Sequence, residues 1–232
     1  IERAKIIQGP VAIIVKKNAF NKFHSKLATL QKGEDSHILN REEAIAGLLR
    51  AISSDSLVIA TTGHISREIY ELRGKGGITH DHDFLTVGSM GHASQIALGI
   101  ALEDENRKVF CIDGDGSVLM HMGGLATVGT SGCKNIIHIV LNNGAHGSVG
   151  GQKTVALDVN LTAIAQACGY QTIKRKVYMA DQISDALQEL SEFEGVKFLE
   201  IIVGTKFRDN LGRPTQSPLE NKLAFMKNFC VG

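Results

Sequence analysis

Three features of the sequence predict an α/β fold, a three-layer α/β/α parallel sheet. Apolar runs of strand length alternate with helix-length segments along most of the 232 residues. Two of these runs, residues 108–112 and 136–141, stop at glycines and short oxygen-bearing side chains. Only one helix-length segment, residues 119–130, separates them. A βαβ crossover of this kind brings both strand ends to one edge of a parallel sheet, the edge at which open α/β sheets hold ligands.

Composition sets the frame. The length suits one well-packed α/β domain with extensions. Hydrophobic residues make up 43% and charged residues 21%, the balance of a globular chain in water. Lys and Arg number 25 against 24 Asp and Glu, a net charge of +1, so neither a nucleic-acid nor a membrane partner is expected. No apolar run has membrane-spanning length, and no signal-peptide pattern stands out. The four cysteines are widely spaced without a CxxC pair, and three sit in or beside apolar runs, which predicts buried reduced thiols and a cytoplasmic location. Ile stands at position 1, so the true start is expected upstream.

In chain order, Gly9-Pro10-Val-Ala-Ile-Ile-Val15 reads as a short buried strand, followed by a polar region without clean periodicity. That strand either edges the main sheet or belongs to a different domain. Asn40 with Glu43 three places on is an N-cap signal opening a helix over 41–52. A strand at 57–60 runs into Thr61-Thr62-Gly63-His64 and a helix from 66 to about 72. Residues 73–83 read as a solvated loop, because alternating His80, Asp81, His82 and Asp83 would point to opposite sides of an extended segment. A strand at 84–87 leads through Gly88-Ser89-Met90-Gly91 into an amphipathic helix ending near Glu103. After a mobile-looking loop at 148–153 come a helix at 161–168, a strand at 171–174, a helix at 181–193, a strand at 197–203 and a helix from about 218 to 229. Asp158 and Asp181 are cap candidates.

The chemistry gathers where two strands end. Asp115, an amide oxygen from Asn142 or Asn143, and a backbone carbonyl in the glycine-rich loop that follows are hard oxygen donors of the type Mg²⁺ takes. Glycines let the backbone approach closely, and Ser117 stands where a helix begins, so N–H groups around Gly116 and Ser117 can meet phosphate oxygens. The combination predicts a magnesium–diphosphate cradle, although either half alone is an ordinary strand-to-helix turn. The turn at 61–64 offers further hydroxyl and N–H groups. A nicotinamide-binding fold is disfavoured, since no Gly-x-Gly-x-x-Gly follows the first strand.

Gly114-Asp115-Gly116-Ser117 followed at a set distance by Asn142-Asn143 resembles the thiamine diphosphate signature of the decarboxylase and acetolactate-synthase superfamily. The resemblance implies a thiamine diphosphate-binding domain of the diphosphate (PP) type, with Mg²⁺ held by Asp115, Asn143 and the main-chain oxygen of Ala145. It places the cofactor against Thr62, His64, Gly88, Ser89, Met90, Gly116 and Ser117. Met90 would prop the two cofactor rings into a V, with the Gly88 carbonyl accepting a hydrogen bond from the aminopyrimidine. That arrangement makes proton loss from the thiazolium nearly intramolecular.

Longer stretches are more specific. Thr61-Thr-Gly-His-Ile-Ser-Arg-Glu68, Val87-Gly-Ser-Met-Gly-His-Ala93, residues 142–151 and Leu211-Gly-Arg-Pro214 resemble the phosphonopyruvate decarboxylases, with the sulfopyruvate decarboxylases as close relatives. The resemblance implies a carbon–carbon lyase that decarboxylates phosphonopyruvate to phosphonoacetaldehyde in phosphonate biosynthesis; the alternatives are a sulfopyruvate decarboxylase β-type subunit and a non-catalytic cofactor-binding module. Arg208 and Arg213 are candidate contacts for the substrate's oxyanions. Residues 1–17 would carry the last strand of a preceding pyrimidine-binding domain, 18–38 a linker, 39–205 the diphosphate-binding domain and 206–232 a tail with a helix. The activating glutamate of the family has no counterpart in this chain, so the catalytic residue is unassigned. A pyrimidine-binding domain or subunit in a homo- or hetero-oligomer is expected, without which the chain binds cofactor weakly and does not turn over.

Overall fold

The computed structural model describes residues 2–7, 9–16, 19–21 and 39–227. The chain divides into two units, Ile1–Lys32 and Gly33–Gly232. In the first unit, α1 (Glu2–Ile7) is the helix among the described residues. The strand expected at 9–15 is not formed. Val11, Ile13, Ile14 and Val15 are all exposed, and no described strand pairs with them. An apolar segment without a partner sheet has nowhere to place its backbone N–H and C=O groups, so the sequence pattern alone cannot hold it as a strand. Most of the expected linker lies outside the described residues.

In the second unit the elements run α2 (Arg41–Ala51), β1 (Leu57–Ala60), α3 (His64–Lys75), β2 (Asp83–Leu85), α4 (Ala93–Glu103), β3 (Val109–Gly114), α5 (Asp115–Met120), α6 (Gly123–Gly129) and β4 (Ile136–Asn142). They continue through β5 (Ala145–His146), β6 (Gln152–Lys153), α7 (Leu161–Ala167), β7 (Gln171–Thr172), α8 (Gln182–Ser191), β8 (Lys197–Ile202) and α9 (Pro218–Met226). Six strands form one parallel sheet in the order β2-β1-β3-β4-β8-β7. The chain steps outward from β1 to β2, returns across β1 to β3, and then moves outward the other way. The crevice at the carboxyl ends of β1 and β3 is therefore the switch point at which doubly wound sheets bind ligands.

Burial on both faces explains the near-continuous apolar runs. Val58, Ile112, Ile139 and Leu199 pack under Ile45 and Leu48 of α2, Ile69 of α3 and Ile183 of α8. Ile59, Cys111, Val140 and Phe198 pack on the opposite face under Ala97 of α4, Val128 of α6 and Leu161 of α7. The α2 N-terminus has the expected capping box, Asn40 with Glu43. For α7 the cap is Asn160, whose side chain accepts from the Ala163 N–H, rather than Asp158. Asp181 occupies the N-cap position of α8 without a side-chain bond.

Other expectations give way to tertiary contacts. The single helix read over 119–130 is two helices, because the chain turns at His121 and Met122. The His121 ring is bonded to the Gly91 carbonyl at 2.9 Å, and Gly123 and Gly124 are weak helix formers. The loop read as solvated carries a buried ion pair, Arg73 Nη2 to Asp83 Oδ1 at 3.1 Å, and His80 stacks on Tyr70 with ring centroids 4.1 Å apart. The loop at 148–153 closes the antiparallel pair β5–β6. The tail helix α9 is anchored on the edge strand: Asn221 Oδ1 accepts from Leu85 N–H, and its Nδ2 donates to the Asp83 carbonyl.

The tightest backbone approach joins the ends of α6 and α7. A Cβ on Gly129 would lie 2.1 Å from the Cys168 carbonyl oxygen, and one on Gly169 would lie 2.8 Å from the Gly129 oxygen. Because both obstacles are backbone, Gly129→Ala is expected to cost about 2 kcal/mol or more in urea unfolding, the range of an overpacked core.

Candidate diphosphate and metal site

Three strand ends meet in one cleft. Past the end of β1, Thr61 Oγ1 lies 2.9 Å from the Ser117 hydroxyl in the first turn of α5, and Ser117 Oγ also accepts from the Gly91 N–H at 2.9 Å. One hydroxyl thus ties together the segments after β1, β2 and β3. Thr62 adds a second tie, its Oγ1 accepting from the Gly88 N–H at 3.1 Å. The chain leaves β1 through Gly63, whose φ of +103° suits glycine.

Asp115, Asn143 and Ala145 all line this cleft. Asp115 is 2% exposed, and burial pushes its carboxyl up from the usual range. Hydrogen bonds from Thr154 and from the backbone at Asn143, Gly116 and Asp115 oppose that push, but no cationic side chain among the described residues is paired with it. A desolvated carboxylate without a counter-charge is the kind of group a divalent cation satisfies.

The two asparagines divide the work as strand alternation dictates. Asn142 is fully buried, donating to Glu200 Oε1 at 2.8 Å and accepting from the Gly144 N–H, so it shapes the turn. Glu200 is itself held by Thr162 at 3.0 Å and Lys176 at 3.0 Å. Asn143 is left facing the cleft, its Oδ1 accepting from the Ala145 N–H at 3.0 Å. The Ala145 carbonyl accepts from the Gly147 N–H. Each oxygen keeps a lone pair, so the Asp115 carboxylate, the Asn143 amide and the Ala145 carbonyl fit Mg²⁺ as a donor set.

Thr62, His64, Gly116 and Ser117, the residues expected to meet phosphate oxygens, all line the cleft with Met90. Gly116 is required by space: a Cβ there would lie 2.6 Å from the His146 ring and 3.4 Å from Met90 Cε. Gly88 and Ser89 sit beside the cleft rather than in its lining, and Ser89 takes a φ of +47°, rare for a residue with a side chain.

Neither tail arginine reaches the cleft lining. Arg208 is occupied, donating to Glu42 at 2.6 Å, Glu71 at 2.7 Å and Asn210 at 3.2 Å, and so braces the tail against α2 and α3. Arg213 is exposed. Residues not singled out from sequence are Thr61, His146 and Arg41 in the cleft lining and Thr154, which holds Asp115; Arg41 is buried and paired bidentately with Glu68 at 2.7 and 2.8 Å. Arg41 was hidden inside a helix-start signal, and nothing in the local sequence around Thr154 announces its bond to Asp115.

A cleft at the switch point of a parallel sheet, lined by a magnesium-type donor set and glycine-rich turns, defines a phosphate-cofactor domain. Residues 61–201 match the family described as thiamine pyrophosphate enzyme, C-terminal TPP binding domain, and the chain belongs to that family. It is 41% identical over 180 residues to phosphonopyruvate decarboxylase of Streptomyces viridochromogenes, covering 78% of this chain and 44% of that one. It is 34% identical over 188 residues to sulfopyruvate decarboxylase subunit beta of Methanococcus maripaludis, covering 81% and 96%. The chain thus spans less than half of the first relative and nearly all of the second. An X-ray structure of a candidate thiamin diphosphate-dependent enzyme from Mycobacterium smegmatis shares the fold, with a TM-score of 0.59 at 21% identity over 71% of this chain and 32% of that one. Among the described residues no helix is long and apolar enough to cross a membrane.

His64 gives a pH signature. Burial and the nearby charges of Arg41 and Arg67 lower its pKa from 6.5 to about 4. Between those values the unfolded chain binds a proton that the folded chain refuses, so this group contributes a loss of stability as pH falls from about 6.5 to 4. NMR titration should place the His64 midpoint near 4, and His64→Gln should flatten that part of the stability–pH curve.

Proposed function

We propose that this chain supplies the metal and diphosphate half of a thiamine diphosphate- and Mg²⁺-dependent decarboxylase that converts phosphonopyruvate to phosphonoacetaldehyde and CO2, a step of phosphonate biosynthesis. The observation that carries the reading is the single cleft in which Asp115, Asn143 and Ala145 meet the turns after β1 and β3, in a chain so similar to a phosphonopyruvate decarboxylase. The free thiols of Cys111, Cys133 and Cys168 support a reducing, cytoplasmic setting.

Bound thiamine diphosphate would supply the electron sink for the pair released as carboxylate leaves. Asp115, Asn143 and the Ala145 carbonyl would hold the metal, and Thr62, His64, Gly116 and Ser117 the phosphates. Met90 would stand under the rings, with Gly88 and Ser89 shaping the backbone beside it. Arg213 remains available to the substrate's second anion, whereas Arg208 is spent on Glu42 and Glu71. A pyrimidine-binding partner would bring the activating glutamate and complete an oligomer.

A second reading has its own support: nearly the whole of a sulfopyruvate decarboxylase β subunit aligns with this chain. A side-by-side assay of CO2 release decides, using the chain combined with a pyrimidine-binding half. Phosphonopyruvate is expected to be the faster substrate; faster sulfopyruvate turnover selects the second reading, and release from neither overturns both. The chain alone should release none. Asp115→Asn should weaken magnesium-dependent cofactor binding by about 100-fold in calorimetry.

A further inference from the structure

We propose that Arg41 is an oxyanion-binding residue of the cleft, placed to grip the outer phosphate of a diphosphate beside Gly147. This rests on the diphosphate reading of the cleft and adds to it a residue that lies outside 61–201, the part that matches the family.

The guanidinium is fixed before any ligand arrives. Its Nε donates to Glu68 Oε2 at 2.8 Å and its Nη2 to Glu68 Oε1 at 2.7 Å, with both side chains buried. That pairing uses one edge of the planar fork and leaves Nη1 directed elsewhere. The direction is toward the backbone of the loop after β5. A Cβ built on Gly147 would lie 3.9 Å from Arg41 Nη1, 3.8 Å from His64 Nδ1 and 3.9 Å from Asn143 Nδ2. Three side-chain nitrogens from three elements therefore surround one point, and the residue beside that point carries no side chain.

A second observation marks the point as a ligand position. His64 Nδ1 is buried and has no hydrogen-bond partner, a cost that a protein-internal acceptor would normally remove. His64 is also the first residue of α3, a helix of 12 residues whose N-cap, Gly63, offers no side-chain acceptor, so the helix's free N–H groups face the same region. A guanidinium, an imidazole nitrogen, an amide NH₂ and an open helix start all favour a tetrahedral oxyanion. Asp115, Asn143 and Ala145 line the same cleft as Arg41, His64 and Gly147, so the donor set expected to hold a metal and the group around Gly147 share one cavity.

Because removing Arg41 alone would strand a buried Glu68, the charge is best removed in two independent ways. Arg41→Lys keeps the ion pair but gives its only nitrogen to Glu68, and Arg41→Gln with Glu68→Gln replaces the pair by two amides. A third variant, Gly147→Ala, places a methyl at ordinary contact distance from all three nitrogens and fills the point itself. Inorganic diphosphate with Mg²⁺ is titrated calorimetrically into the wild-type chain and each folded variant, with folding checked by thermal melting. Each variant is expected to bind diphosphate about tenfold more weakly or worse, the value of a hydrogen bond to a charged group. Wild-type affinity in any folded variant overturns the assignment. Methylphosphonate serves as a stand-in for the substrate's anion: variants that lose it while retaining diphosphate would also overturn it. A wild-type chain that binds no diphosphate removes the underlying reading, which is a different result from variants that bind normally.

Discussion

A buried carboxylate without a positive partner governs this structure. Asp115 is nearly inaccessible, burial raises its pKa, and the groups that hold it are a threonine hydroxyl and backbone N–H donors. Neutral donors stabilise a carboxylate only in part, so the site is left with an electrostatic demand that a cation answers. The same contacts join three pieces of chain. Asp115 opens the helix after β3, Asn143 follows β4, and Thr154 follows the β5–β6 hairpin, with its N–H donating to the Gly144 carbonyl at 2.8 Å. Whatever satisfies Asp115 therefore also sets how closely the hairpin sits on the strand ends.

Hydrogen-bonded polar groups at and behind the cleft hold it in place. Glu200 on β8 accepts from Asn142, Thr162 and Lys176, and Asn142 shapes the turn that presents Asn143. Ser117 bonds to Thr61 and Gly91, and Arg41 is held by Glu68. Each cleft-facing group thus has a neighbour whose hydrogen bonds fix it from the rear, which is how a site keeps its geometry without a ligand present.

Much of the fold was legible in the sequence because the parallel strands are buried on both faces and therefore read as unbroken apolar runs ending in glycine and asparagine. The runs at 57–60, 108–112 and 136–141 needed no tertiary information to be read as strands, and the structure places strands at 57–60, 109–114 and 136–142. The strand read at 9–15 failed because an apolar run specifies burial and not the partner that provides it. The helix read over 119–130 failed because its break depends on His121 reaching the Gly91 carbonyl, a contact between distant positions. The same distinction applies within the site. Asp115, Asn143 and Ala145 belong to two local motifs at a set spacing, whereas Thr154 reaches Asp115 across 39 residues and Glu200 reaches Asn142 across 58 with no motif to mark either. Arg208, expected at the substrate's oxyanions because of its planar guanidinium, pairs with two carboxylates on α2 and α3, partners that no local pattern announces.

The hydrogen bonds that fix the cleft all close within residues 41–200. Thr61 to Ser117, Asp115 to Thr154, Asn142 to Glu200 and Arg41 to Glu68 need no atom from outside this segment. The cleft's internal hydrogen bonds are therefore the same whether this segment stands alone or forms part of a longer chain. That matches its relatives, since the chain aligns with 44% of one decarboxylase and 96% of a β subunit. The buried Arg41–Glu68 pair brings α2, which precedes the matched family segment, into the cleft. The cleft therefore draws on α2 as well as on the matched segment.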